Sequence, residues 1–176
     1  MKNSVTAVLS DEHVHILKVV NALVRECDVL RAEKLIDKVF FSKAVDFIRN
    51  FADKFHHVKE EDILFVELCK DTVDMHCNPT EQMRYEHELG RGFVKAIEQS
   101  VSENNVAKVI DNSISYANLL QEHIFKEDNI LFPMANEALS ESAQASIAEA
   151  FKKAEQKFAS GEKEKYLAIA EEFEKR

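Results

Sequence analysis

Glycine and proline are nearly missing from this chain: three glycines and two prolines in 176 residues, roughly 3% against an ordinary ~12%. Tight reversals and strand edges depend on those two residues, so the chain has few of either and runs mostly as long helices. That argues against a β-sandwich or barrel. Basic runs are also missing. With 23 Lys+Arg against 32 Asp+Glu the net charge is −9, and neutralising phosphates needs clustered cations, so no nucleic-acid partner and no acidic membrane surface is expected. No stretch approaches 18 uninterrupted apolar residues, and the opening Met1 to Ser10 carries no cleavage signature, which predicts a cytoplasmic protein. Cys27, Cys69 and Cys77 are odd in number and lack C-x-x-C spacing, which fits reduced thiols better than disulfides or a thiolate zinc site. The chain is nonetheless 45% apolar and long enough for one self-supporting core.

Apolar residues recur at alternating intervals of four and three, the signature of helices in a bundle. The first row is Leu9, His13, Ile16, Val20, Leu23, Cys27 and Leu30, with His15 pointing away. A second helix spans about 35–70, with Val45, Ile48, Ala52 and Ile63 on one side and Phe47, Phe51, Phe55 and Val58 beside them. Asn78 as N-cap, Pro79 as first helical residue and Glu81 at the third position open another helix, with the row Met83, His87, Gly90, Val94, Ile97 and Val101. The fourth row is Val106, Val109, Ser113, Tyr116, Leu120, His123, Glu127, Ile130 and Met134. The expected fold is all-α, an up-down-up-down four-helix bundle over residues 1–140. Residues 141–176 add a C-terminal helical arm packing on the same domain, divided at Gly161.

Polar residues on these inward rows need a partner, because burying an unpaired imidazole or carboxylate costs several kcal/mol. Helices two and four carry related strings, residues 55–65 (FHHVKEEDILF) and 122–132 (EHIFKEDNILF), which align without a gap. The alignment matches His56 with His123 and Glu60 with Glu127, each pair an H-x-x-x-E on one helix face. It also settles His56 over its neighbour His57. Glu12-His13 and Glu86-His87 on helices one and three complete a two-fold repeat. Four imidazoles and two carboxylates then converge inside the bundle, a mixed set suited to iron or manganese, with two ions expected.

Together these motifs resemble the hemerythrin-like, or HHE cation-binding, domains over about residues 10–137. The resemblance implies metal ligands His13, His56, Glu60, His87, His123 and Glu127, with Ile130 to Pro133 completing the last signature. It also implies a cofactor of two non-haem iron ions, Fe2+/Fe3+, bridged by carboxylate and by oxo or hydroxo, in a monomer or homodimer that meets O2, H2O2 or NO. Oxygen-carrying hemerythrins have a further histidine where this chain has Met83, and an H-x-x-x-x-D where it has H-x-x-x-E. The position vacated by that histidine falls to His57, His76, Glu86, Tyr116 or water. Tyr116, two turns before His123, is the candidate catalytic residue, its phenol a hydrogen-bond donor to a ligand of the metal. Two functions follow: a peroxide- or O2-reactive oxidoreductase, or a module that senses or stores iron or O2 without turnover. The acidic residues Asp46, Asp53, Glu61 and Asp62 read as a solvated face.

Overall fold

A computed structural model describes residues 4–176; the first three residues of the opening Met1 to Ser10 stretch lie outside the described residues. All regular structure among the described residues is helical. The helices are α1 (Ala7–Glu33), α2 (38–68), α3 (Thr80–Ser102), α4 (106–138), α5 (Glu141–Glu155) and α6 (Glu162–Glu174). The first four form the up-down-up-down bundle; α1 packs against α4 and α6, and α3 against α4.

Local chemistry sets the helix ends. The side chains of Asp37, Asn105 and Ser140 accept from the backbone N–H groups of Phe40, Lys108 and Ala143, capping α2, α4 and α5. Gly161 precedes α6 with φ 84°, a left-handed turn that glycine enters freely. Helix α3 starts one residue later than the Asn78–Pro79 pattern predicts. Asn78 Oδ1 accepts directly from Thr80 N at 3.1 Å, leaving Pro79 outside the first helical turn.

The bundle departs from ideal helix in α2 and α4, where i→i+5 hydrogen bonding runs through Ile48–His57, Glu60–Leu64 and Glu127–Leu131. Each wide turn changes which side chains face inward. Val58 and Ile130, both expected on buried rows, are exposed, whereas Lys59 and Leu131 are buried.

The apolar core falls into two clusters, one including Ile16, Phe55, Val94 and Ile124, the other Leu9, Leu64, Met83 and Leu131. On every bundle helix the inward histidines and glutamates lie between a member of one cluster and a member of the other. A polar layer therefore crosses the bundle, held between two apolar blocks. Helices α5 and α6 seal both blocks: Ile147 and Phe151 join Leu64 and Phe65, and Tyr166 and Phe173 pack on Phe47 and Phe40. Burying each such side chain contributes ~1.5–3 kcal/mol.

Candidate metal centre

The polar layer brings together all six residues expected from the sequence, and a seventh. Two quartets of buried side chains place their donor atoms within 4.8 Å of one another: His13, His56, Glu60 and Glu127 in the first, His57, Glu60, His87 and His123 in the second. Glu60 belongs to both. Its Oε1 lies 3.3 Å from His56 Nε2 and its Oε2 lies 3.5 Å from His87 Nε2. Glu127 spans the layer from the other side, its Oε2 3.3 Å from both His13 Nε2 and His123 Nε2. The i, i+4 spacing thus sets each glutamate beneath its own histidine and within reach of one on a facing helix.

The outer ring nitrogens fix where the protons are. Each Nδ1 faces a carboxylate, which only accepts, so Nδ1–H donates. His13 donates to Asp128 at 3.0 Å, His56 to Glu12 at 2.9 Å, His87 to Glu61 at 2.6 Å and His123 to Glu86 at 2.9 Å. Lys59 in turn holds Glu12, and Lys126 holds Glu86. The two-fold repeat therefore extends past the inward residues: Lys59–Glu12–His56 mirrors Lys126–Glu86–His123. Phe132 stacked on His13 likewise mirrors Phe65 stacked on His87.

With Nδ1 engaged outward, the Nε2 atoms point inward in facing pairs, His13 to His56 at 3.1 Å and His87 to His123 at 3.0 Å. Two neutral imidazoles so arranged present lone pair to lone pair. That contact needs a cation, and adjacent nitrogens of one octahedral ion with ~2.1 Å bonds lie ~3 Å apart. The carboxylates make the same demand: all four side-chain oxygens of Glu60 and Glu127 are buried without a hydrogen-bond partner. In the metal-free protein, protons meet part of it. Burial opposes charging His56 and His123, yet the charge of Glu60 on the first and of Glu127 on the second, with their bonds to Glu12 and Glu86, holds both up at about 10.

His57, which the repeat alignment ranks behind His56 but which is a candidate for the vacated position, is the seventh residue. Its ring stacks on His87 at 3.8 Å, and its Nδ1 lies 3.3 Å from Asp53, which Arg91 holds at 2.7 Å. Burial, helped by the neighbouring imidazoles, pushes His57 down to about 4, so it is neutral with Nε2 free to bind. Of the other candidates for the vacated position, His76 is exposed in the 69–79 connection and Glu86 is engaged by His123. Tyr116 is buried beside the second quartet. Asp53 and Glu61 are not a solvated face: they orient His57 and His87 and share Arg91. The wide turns of α2 brought them inward, a shift that a 3.6-residue period does not show.

A cavity of about 330 Å3 reaches the second quartet, lined by His57, His87, His123, Gly90, Tyr116 and Val94 among others. Tyr116 lies opposite Gly90, where an added Cβ would be 3.7 Å from its ring. Burial raises the Tyr116 phenol above its ordinary value, keeping it protonated and able to donate.

The hemerythrin HHE cation-binding domain family matches residues 4–135. The chain belongs to that family. Neither curated proteins nor solved structures gave a match. Metal binding is the property that the HHE domain implies, and the donor set fits it: imidazole nitrogens and orphaned carboxylate oxygens meet in one layer, without a thiolate. Among the described residues, no helix is long and apolar enough to cross a membrane.

Proposed function

We propose that the two quartets hold a pair of iron ions. His13 and His56 serve one ion and His57, His87 and His123 the other, with Glu60 and Glu127 shared between them. The observation that carries this reading is the pair of facing Nε2 contacts above two carboxylates with no other partner. Five imidazoles and two shared carboxylates supply about nine of the roughly twelve positions of two octahedral ions, leaving room for an exogenous ligand. The cavity meets the layer at the second quartet, so O2, peroxide or nitric oxide enters there.

An iron pair supplies one-electron steps at each ion for the reduction of a small oxidant. The protein's own groups supply the rest. The carboxylate–imidazole contacts hold the ligating nitrogens in place, the two apolar blocks keep bulk water from the layer, and Tyr116 holds a donatable proton at its phenol oxygen. A site open to a small ligand on one side and closed on the other favours oxidoreductase chemistry with peroxide or O2.

The test is anaerobic loading with ferrous iron, metal analysis of the untagged protein, and optical spectra before and after each of the three ligands. About two irons per chain are expected and, with ascorbate supplied as the electron donor that returns the ions to the ferrous state, peroxide consumption beyond one equivalent. Consumption that stops after stoichiometric oxidation selects the sensing or storage alternative, and retention of zinc alone removes the redox reading. Tyr116→Phe is expected to keep the iron and slow the reaction.

A further inference from the structure

A diatomic ligand or peroxide needs far less space than the cavity over the second quartet provides. One water accounts for ~30 Å3 of liquid volume. Pockets that take organic molecules begin near ~300 Å3, and this cavity is about 330 Å3. Its inner end is imidazole and its walls are apolar, supplied by Ile48 of α2, Val94 of α3 and Leu120 of α4.

Charge at the cavity inverts that of the chain. Arg49, Lys54, Arg91 and Lys95 line it on a molecule of net charge −9. The two lining carboxylates are already engaged, Asp53 by Arg91 and His57 and Glu86 by His123 and Lys126. Arg49 is held by Glu98 through two 2.8 Å contacts, and Lys54 donates to Asn50 at 3.2 Å. Lys95 is exposed and forms no ion pair among the described residues. Lys54 and Lys95 are thus the two lining cations without a carboxylate partner among the described residues, Lys54 bonded to a neutral amide oxygen and Lys95 to no side chain. An unpartnered ammonium beside an apolar chamber selects for an anionic group on an apolar body.

The geometry points to a second kind of ligand for this site, an organic monocarboxylate whose carboxylate meets Lys95 and whose apolar body fills the chamber over His57 and His87. Its position beside iron rests on the function proposed above; its binding rests on the cavity alone.

Isothermal titration of the full chain with octanoate, with and without iron, tests it. Saturable 1:1 binding is expected. Lys95→Glu, an exposed change, is expected to weaken it by about tenfold, the usual loss for a charge-assisted contact. Gly90→Leu projects a side chain into the chamber, where only Tyr116 and Leu119 come within 4 Å of a Cβ. It is expected to abolish octanoate binding while iron content and melting temperature are maintained. Absence of binding, undiminished binding to either variant, or equal binding of 1-octanol overturns the inference. Two irons without octanoate binding defeats this inference alone. Octanoate binding by a chain that takes up no iron defeats the proposed function alone.

Discussion

Lys59 offers a quantitative test of how the polar layer is supported. It is fully buried, its ammonium bonded to Glu12, 3.2 Å from Glu155 and 3.9 Å above the Phe55 ring. Lys59→Met keeps most of the apolar stem but leaves the Glu12 carboxylate buried with only His56 for a partner. Breaking a buried ion pair by removing one member costs ~3–5 kcal/mol, and the surviving His56 contact puts this case near ~3. The repeat supplies its own control. Lys126 makes the equivalent bond to Glu86 but is a third exposed, and Glu86 keeps both His123 and a 2.8 Å contact from Gln82. Lys126→Met is therefore expected to cost no more than ~1 kcal/mol. In a chain of this size ~3 kcal/mol lowers the melting temperature by ~6–12 °C. The assay is guanidinium and thermal unfolding of both variants, metal-free, at pH 7. Adding Glu12→Gln to Lys59→Met is expected to recover part of the loss, because a carboxamide needs no cation. Equal losses for the two lysines, or no recovery in the double variant, would refute the reasoning that burial of the uncompensated carboxylate sets the cost.

Proton occupancy makes the metal-free protein pH-sensitive in both directions. His56 and His123 are held up at about 10, so the stability they contribute is complete below 6.5 and is lost as pH rises through 10. His57 is pushed down to about 4, so stability also falls as pH drops from 6.5 towards 4. The contacts of Glu61 and Glu86 with their histidines outweigh burial and hold both at about 2, so their contribution, complete above 4.5, is lost on further acidification. Urea midpoints from pH 3 to 10 should therefore peak near about 6.5 without metal, and a profile flat to pH 10 contradicts the assignment. Iron displaces the protons between the facing nitrogens, so loading should release acid and remove the alkaline loss. His57→Leu should lower iron content towards one per chain while the His13 and His56 position stays filled; an unchanged content of two would place His57 outside the ligand set.

The repeat that displayed the site in the sequence is a repeat of contacts. His13 and His87 sit on regular stretches of α1 and α3, where a 3.6-residue period predicts the inward face correctly. His56, Glu60, His123 and Glu127 are found because two strings with the same residues at the same spacing fold alike. Lys59, Asp53 and Glu61 are not legible as inward residues, and His57 is legible only as a candidate for the vacated position, because α2 runs as wide turns from Ile48 onward, so the inward face drifts along the helix. Adjacent His56 and His57 can both be buried, and an ordinary helix would have turned one of them outward. The H-x-x-K spacing common to His56–Lys59 and His123–Lys126 was the available signal for the buried lysine. It was legible only once each Nδ1 had been traced to its carboxylate.

The same alignment also locates where the two halves differ. His57 falls opposite Ile124, a polar donor in one half and a core side chain in the other. The second quartet takes His57 from α2 as a third imidazole beside His87 and His123, and the cavity opens onto it. On the side of the first quartet, Lys59, which holds Glu12 behind His56, is covered by Glu155 of α5, whereas Lys126 behind His123 remains partly exposed. A symmetric layer would offer an incoming ligand two equivalent ends. Under the proposed function, the single exchange of His57 for isoleucine and the one-sided packing of α5 favour entry at the second quartet, where the cavity lies, with the first held between apolar blocks. Any change that opens the first half, such as loss of the Lys59–Glu155 contact, should expose His13 and His56 to solvent without enlarging the cavity at His87.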